Sequence, residues 1–165
     1  MELTEALAAA RATNQSVLTT IKRDGRPQLS NVLHHTDDDG VTRISTTANR
    51  AKAHNLERDP WAALHVNGET FFSYAVMEGE AELSEVAAEP DDAVVDELVA
   101  VYRAIGGDHD DWDAYRRAMV DEQRLVVRFR AERAYGSGEL PSPKEPSTRQ
   151  IAEDALGAEW SRDRD

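Results

Sequence analysis

Between Ile44 and Leu56 the chain gathers hydroxyls and cations at close spacing: Ser45, Thr46 and Thr47, then Arg50 and Lys52. That set suits an anion. Hydroxyls donate to phosphate oxygens, and a helix start adds unpaired amides and the positive end of the helix dipole. The local pattern predicts such a start. Ile44 to Thr47 reads as the end of a β-branched strand, and Asn49 suits an N-cap. Ala51, Ala53 and Leu56 suit a short helix that Asp59-Pro60 ends. Helix starts favour acidic side chains, so Arg50 and Lys52 oppose the dipole unless an anion lies between them. We read a phosphate pocket, with Ser45, Thr46 and Thr47 as hydroxyl donors and Arg50 and Lys52 as the charges. A solvated basic helix start is the competing explanation, because no Gly-rich loop fixes the geometry.

A second polar set lies upstream. Gln28, Ser30 and Asn31 share one strand-like run. Amides offer donors and acceptors together, which suits the edge of a heterocycle with alternating carbonyl and N–H groups. An exposed strand face explains the same residues. Other chemistries lack their spacing. His34 and His35 fall on opposite faces of a strand, and His54, His65 and His109 stand apart, so no metal site is expected. Asp37-Asp38-Asp39-Gly40 reads as a turn, since a calcium loop needs alternating ligands and a closing Glu. A Ser/His/Asp triad has its residue types but no G-x-S-x-G elbow.

The elements that must carry these residues follow from period and punctuation. Residues 3–13 read as an Ala-rich amphipathic helix. Strands are expected at 16–21, 28–34, 41–46, 61–66, 71–83 and 125–129, with a further edge at 134–136. Asp24-Gly25 signals a hairpin, and Gly79 within a long run signals a bulge. Two helices are expected between the last strands, from Pro90 to Ile105 and from Asp110 to about Gln123, with Gly106-Gly107 ending the first. Short strands with tight turns indicate an antiparallel barrel or sandwich. A barrel of about six strands has little interior room, so a ligand is expected outside it or between two subunits.

The 165 residues fit one domain with its own core. We divide them into a domain over 1–140 and a flexible tail over 141–165, where Pro, Ser and charge dominate. There is no cysteine, which excludes disulfides and thiolate metal sites. The net charge of −13 argues against nucleic acid and anionic membranes as partners. The acidity is uneven: residues 1–58 hold 8 Lys/Arg against 7 Asp/Glu, and residues 59–165 hold 11 against 25. The first third can therefore present a local positive surface to an acidic small molecule. The N-terminal residues lack a signal-peptide pattern and no apolar run reaches bilayer length, so a cytoplasmic protein is expected.

Several stretches together resemble the pyridoxamine-phosphate-oxidase-like, flavin-binding split barrels. They are Thr20-Ile21-Lys22, Asp24 through Val32, Arg50-Ala51-Lys52 with Asn55-Leu56, and Arg58-Asp59-Pro60. Ser73-Tyr74-Ala75-Val76 with Glu78-Gly79, Asp111-Trp112-Asp113 with Tyr115-Arg116, and Tyr135-Gly136 are similar to the deazaflavin-dependent branch, whose cofactor is coenzyme F420. The resemblance spans about residues 14–137. It implies a mainly β fold with α: a six-stranded antiparallel split β-barrel of Greek-key type with flanking helices, homodimeric, with cofactor at the subunit interface. It implies that Arg50 and Lys52 hold the cofactor phosphate beside Ser45, Thr46 and Thr47. Gln28, Ser30 and Asn31 would face the ring and its linker, and Phe72, Ser73 and Tyr74 would approach from the partner subunit. It also implies an F420-dependent reductase acting on an organic acceptor, with FMN as the alternative cofactor and a non-catalytic carrier as the alternative role. The acidic poly-glutamate tail of F420 suits the less negative first third. The catalytic residue is left unassigned; His34 and Tyr74 are candidate proton donors. The chain lacks the C-terminal Arg-Leu-x-Pro signature of true pyridoxamine-phosphate oxidases, so that activity is not expected.

Overall fold

The structure, a computed structural model, describes residues 1–142. Helix α1 spans Leu3–Ala12, followed by strands β1 (Gln15–Ile21), β2 (Pro27–Leu33), β3 (His35–Thr36) and β4 (Val41–Thr47). Helix α2 (Ala51–Arg58) precedes β5 (Trp61–Asn67) and β6 (Tyr74–Leu83). Helices α3 (Ala93–Gly106) and α4 (Trp112–Asp121) then lead to β7 (Arg124–Ser137). The tail expected over 141–165 lies, from residue 143 onward, outside the described residues.

One antiparallel sheet runs in the order β2-β1-β5-β6-β7-β4-β3. β2 and β4 sit far apart in that order, yet Gln28 and Ser30 of β2 line one groove with Ser45, Thr46 and Thr47 of β4. The sheet therefore curls until its two ends face each other across a split. The fold is mainly β with α, as expected. Seven strands replace the six expected, because the chain breaks pairing at His34 and resumes for two residues as β3. His34 N bonds to Asn14 O at 2.8 Å and its ring turns inward, which separates β2 from β3.

Alternation places the core. β1 exposes and buries residues in turn, while the interior strand β5 buries Ala62, Ala63 and Leu64 in succession. Leu18, Ile44, Leu64, Met77, Val127 and Phe129 form the barrel core, and Ala6, Ala9 and Ala10 let α1 sit close against it. A second cluster joins α3 and α4 to the sheet through Val95, Leu98, Tyr115, Met119 and Val126.

Three local expectations change. The strand expected from Phe71 begins at Tyr74, because the turn after Asn67 extends to Ser73, whose amide bonds to Thr70 O at 3.1 Å. Phe71 and Phe72 are left 93% and 80% exposed on that turn. The strand expected to stop at Phe129 runs on to Ser137 along β6. In the added stretch Glu78 faces Arg133 and pairs with it at 2.6 Å, which supports the extension. Finally, Arg50 rather than Asn49 occupies the N-cap of α2, with no side-chain cap. Asn49 Oδ1 instead accepts the Thr47 hydroxyl at 2.6 Å. The bulge expected at Gly79 is present as a register shift between Glu78 and Gly79. The Gly107 C-cap is present too, with φ of 83°.

Candidate functional site

The split between β2 and β4 opens into a groove of about 410 Å³. Small-molecule pockets span about 300–1,000 Å³, so the space admits a ligand of that class. Of the residues expected to bind a cofactor, Gln28, Ser30, Asn31, Ser45, Thr46, Thr47, Arg50 and Lys52 all line it. Each owes its place to a simple feature. β2 lies at an end of the strand order and borders the split, β4 ends there, and α2 starts there without any acidic residue in its first turn.

The three hydroxyls are not equivalent. Ser45 Oγ accepts from Arg124 Nη1 at 3.3 Å, so its own proton can be donated. Thr47 gives its proton to Asn49, so toward a ligand it offers only lone pairs. That corrects the expectation of three donors: the turn leading into α2 uses one of them. Thr46 is buried at 4% exposure.

The opposite wall comes from the helical pair and was missed in the sequence. Val101, Tyr102 and Ile105 of α3, with Tyr115 and Met119 of α4, line the groove. Their helical spacing is the same whether they face a core or a groove, so pattern alone cannot separate the two. Tyr115 is held by its hydroxyl on Leu98 O at 3.2 Å, and burial pushes its phenol pKa up. Arg124 was missed as well. It stands opposite Thr47 in the β4–β7 register and pairs with Glu122 at 2.8 Å. The result is one cationic, hydroxyl-bearing rim and one largely apolar face.

α3 is fastened where it crosses the sheet. Glu97 accepts from Arg128 Nε at 2.9 Å and Nη2 at 2.6 Å, a bidentate pair, and from Arg43 Nε at 3.1 Å. Those bonds, from Arg128 above all, hold its carboxyl below the usual range. Arg43 also pairs with Asp37.

Neither proton-donor candidate lines the groove. His34 is fully buried, with Nδ1 at 2.8 Å from Ser16 Oγ and Nε2 at 2.9 Å from Ala10 O. A carbonyl only accepts, so Nε2 carries the proton and Nδ1 accepts from Ser16. Burial lowers its pKa from 6.5 to about 4. His34 is thus a neutral structural link from the end of β2 to α1, and it is dropped as a candidate proton donor. Tyr74 stacks on His65, with centroids 5.6 Å apart and planes 15° apart. Ser73 is buried, its hydroxyl meeting Thr70 N at 2.9 Å and Thr70 Oγ1 at 2.7 Å. Phe72, Ser73 and Tyr74 line no part of this groove.

The sequence model of the pyridoxamine 5'-phosphate oxidase family matches residues 3–138. The chain belongs to that family. The family resemblance read from the sequence therefore holds, and so does its barrel. Among solved structures, the family member is similar to a conserved hypothetical protein from Mycobacterium tuberculosis at 26% identity, covering 82% of this chain and 84% of that one, with a TM-score of 0.61. A protein named F420 reductase shares the fold at 19% identity and TM-score 0.58, covering 77% and 94% of the two chains. So does HutZ, named a haem storage protein, from Vibrio cholerae, at 16% identity and TM-score 0.61, covering 84% and 97%. The barrel is thus shared by proteins named for a reductase and for haem storage, and the groove's own residues must distinguish among uses.

Proposed function

We propose that this protein is a coenzyme F420-dependent oxidoreductase, a reductase that passes a hydride from the reduced deazaflavin to an organic acceptor of quinone, tetrapyrrole or enone type. The observation that carries the reading is the groove itself. It unites Arg50, Lys52 and Ser45 at one rim, Gln28, Ser30 and Asn31 along one wall, and an apolar face opposite. That donor set fits a phosphorylated heterocycle. Arg50 and Lys52 neutralise the phosphate, and Ser45 donates to it. The amide and hydroxyl side chains of β2 meet the polar edge of the ring. Val101, Ile105 and Met119 keep water from the face where the acceptor stacks. The bound deazaflavin supplies the hydride chemistry; the chain binds, orients and shields.

The proposal includes a homodimer in the cytoplasm. The exposed pair Phe71 and Phe72, edge to face at 5.2 Å, is apolar surface that a second copy would cover, bringing Phe72, Ser73 and Tyr74 toward the other groove. Among the described residues no helix is long and apolar enough to cross a membrane. FMN is the alternative cofactor on the same barrel, and a non-catalytic carrier is the alternative role. An anaerobic assay separates these readings by following the oxidation of reduced F420, and of reduced FMN, with quinones, biliverdin-type tetrapyrroles and enones. Turnover with F420 supports the proposal. Turnover with FMN alone transfers the activity to the flavin, and tight binding without turnover makes the protein a carrier.

A further inference from the structure

A run of hydrogen bonds leads from α2 through the barrel wall to the groove, and its direction is set at the far end. Arg58 carries only N–H groups, so it can only donate. Its Nη2 reaches Ile21 O at 2.7 Å and Asn55 Oδ1 at 3.3 Å. Asn55 must therefore turn its oxygen to Arg58 and its NH2 the other way, where Nδ2 donates to Thr20 Oγ1 at 3.0 Å. Both Thr20 and Asn55 are buried. The Thr20 hydroxyl, having accepted, donates to Gln28 Oε1 at 3.2 Å. That fixes the Gln28 amide, whose Nε2 donates to Leu29 O at 3.0 Å and to Ser30 Oγ at 2.7 Å. Ser30 accepts at the end of the run, and its own proton has no acceptor among the described residues.

We infer that Arg58, Asn55 and Thr20 are positioning residues that commit Ser30 as a hydrogen-bond donor into the groove, so that the groove selects a planar ligand with an acceptor atom, a ring carbonyl or an unprotonated ring nitrogen, beside Ser30. Successive bonds that point one way polarise each other, which strengthens the last donor. Gln28 alone is ambiguous, since an amide can present either end. The buried partners remove that ambiguity before any ligand arrives. For the ligand's identity the inference rests on the cofactor reading; for the direction of the run it rests on bond geometry alone.

Asn55→Asp is the sharpest test. It keeps the shape and the bond to Arg58 but removes the N–H that Thr20 accepts. Thr20 then gives its proton to the carboxylate, Gln28 turns its amide over, and Ser30 donates to Gln28 instead of the groove. Thr20→Val cuts the run at a second place with little change of shape, should the first variant fold poorly. In ligand-free protein, Ser30→Ala should strongly move a Gln28 side-chain amide resonance in the wild-type background, where the Gln28 N–H bonds to Ser30, and move it much less in the Asn55→Asp background, where only the Gln28 carbonyl does. Binding of F420 and FMN should weaken about fivefold in Asn55→Asp, in Thr20→Val and in Ser30→Ala, as loss of one neutral hydrogen bond implies. Adding Ser30→Ala to Asn55→Asp should weaken it no further. Losses that multiply, or a Gln28 resonance that responds to Ser30→Ala equally in both backgrounds, overturn the inference. A wild-type protein that binds neither cofactor sinks the cofactor reading, and the amide resonances still decide the direction of the run.

Discussion

Arg124 Nη1 meets Ser45 Oγ at 3.3 Å across the β4–β7 pair, joining residues 79 positions apart in the chain. The Arg124 side chain is mostly buried, at 12% exposure, and it adds a third cation to the rim that holds Arg50 and Lys52. Arg124→Gln keeps a donor near Ser45 and removes the charge. Affinity for a phosphate-bearing ligand such as FMN is expected to fall about threefold to tenfold, with a shallower salt dependence, in a fluorescence titration at two ionic strengths.

How much of this site was legible in the sequence depended on distance along the chain. Ser45 to Lys52 is one short stretch, and a strand end followed by a helix start announces itself through local pattern. Gln28, Ser30 and Asn31 stood out because three polar residues in one strand are unusual for a barrel core. Arg124 carried no such signal: its meaning comes from a partner on another strand. Tyr102, Met119 and their neighbours were hidden for a different reason, since a groove wall and a core face have the same helical period. The fold was more legible than the site. Strand period, the Gly25 turn and the Gly79 bulge are local, whereas the exact reach of β7 depended on cross-strand charges that only pairing reveals.

The buried His34 makes stability depend on pH in a defined window. Its folded pKa, about 4, lies below the usual 6.5, so the unfolded chain binds the proton first as pH falls. The contribution is complete above pH 6.5 and is lost as pH falls toward 4. Unfolding free energy should drop by about 2 kcal/mol more between pH 7 and pH 5 in wild type than in His34→Gln, measured by urea denaturation. Equal drops in the two proteins would show that another group titrates in that range.

Glu97 ties α3, and with it the apolar wall, to Arg43 and Arg128 on the sheet. Glu97→Gln weakens both charge-assisted contacts, and a loss of about 1–2 kcal/mol is expected by chemical denaturation. Because its folded pKa is depressed, the stability it contributes is present at neutral pH and disappears as pH falls through that lowered value. Ligand affinity should fall with it if α3 shapes the groove.

Gly79 permits the bulge that bends β6 against β7. A Cβ there would overlap the Arg130 carbonyl oxygen, which is backbone and cannot swing away. Gly79→Ala should cost more than about 2 kcal/mol and lower the melting temperature accordingly. Gly25, whose Cβ would meet nothing within 4 Å, provides the comparison for a glycine limited by its backbone angle alone.

The most direct test is a titration of the purified protein with oxidised F420 and with FMN, repeated with the double variant Arg50→Ala, Lys52→Ala. Wild type should bind F420 tightly, and the double variant should lose affinity by at least about tenfold with its fold intact by circular dichroism. An equal affinity in the two proteins, or no binding of either cofactor to the wild type, would contradict the assignment of the groove to a phosphorylated heterocycle.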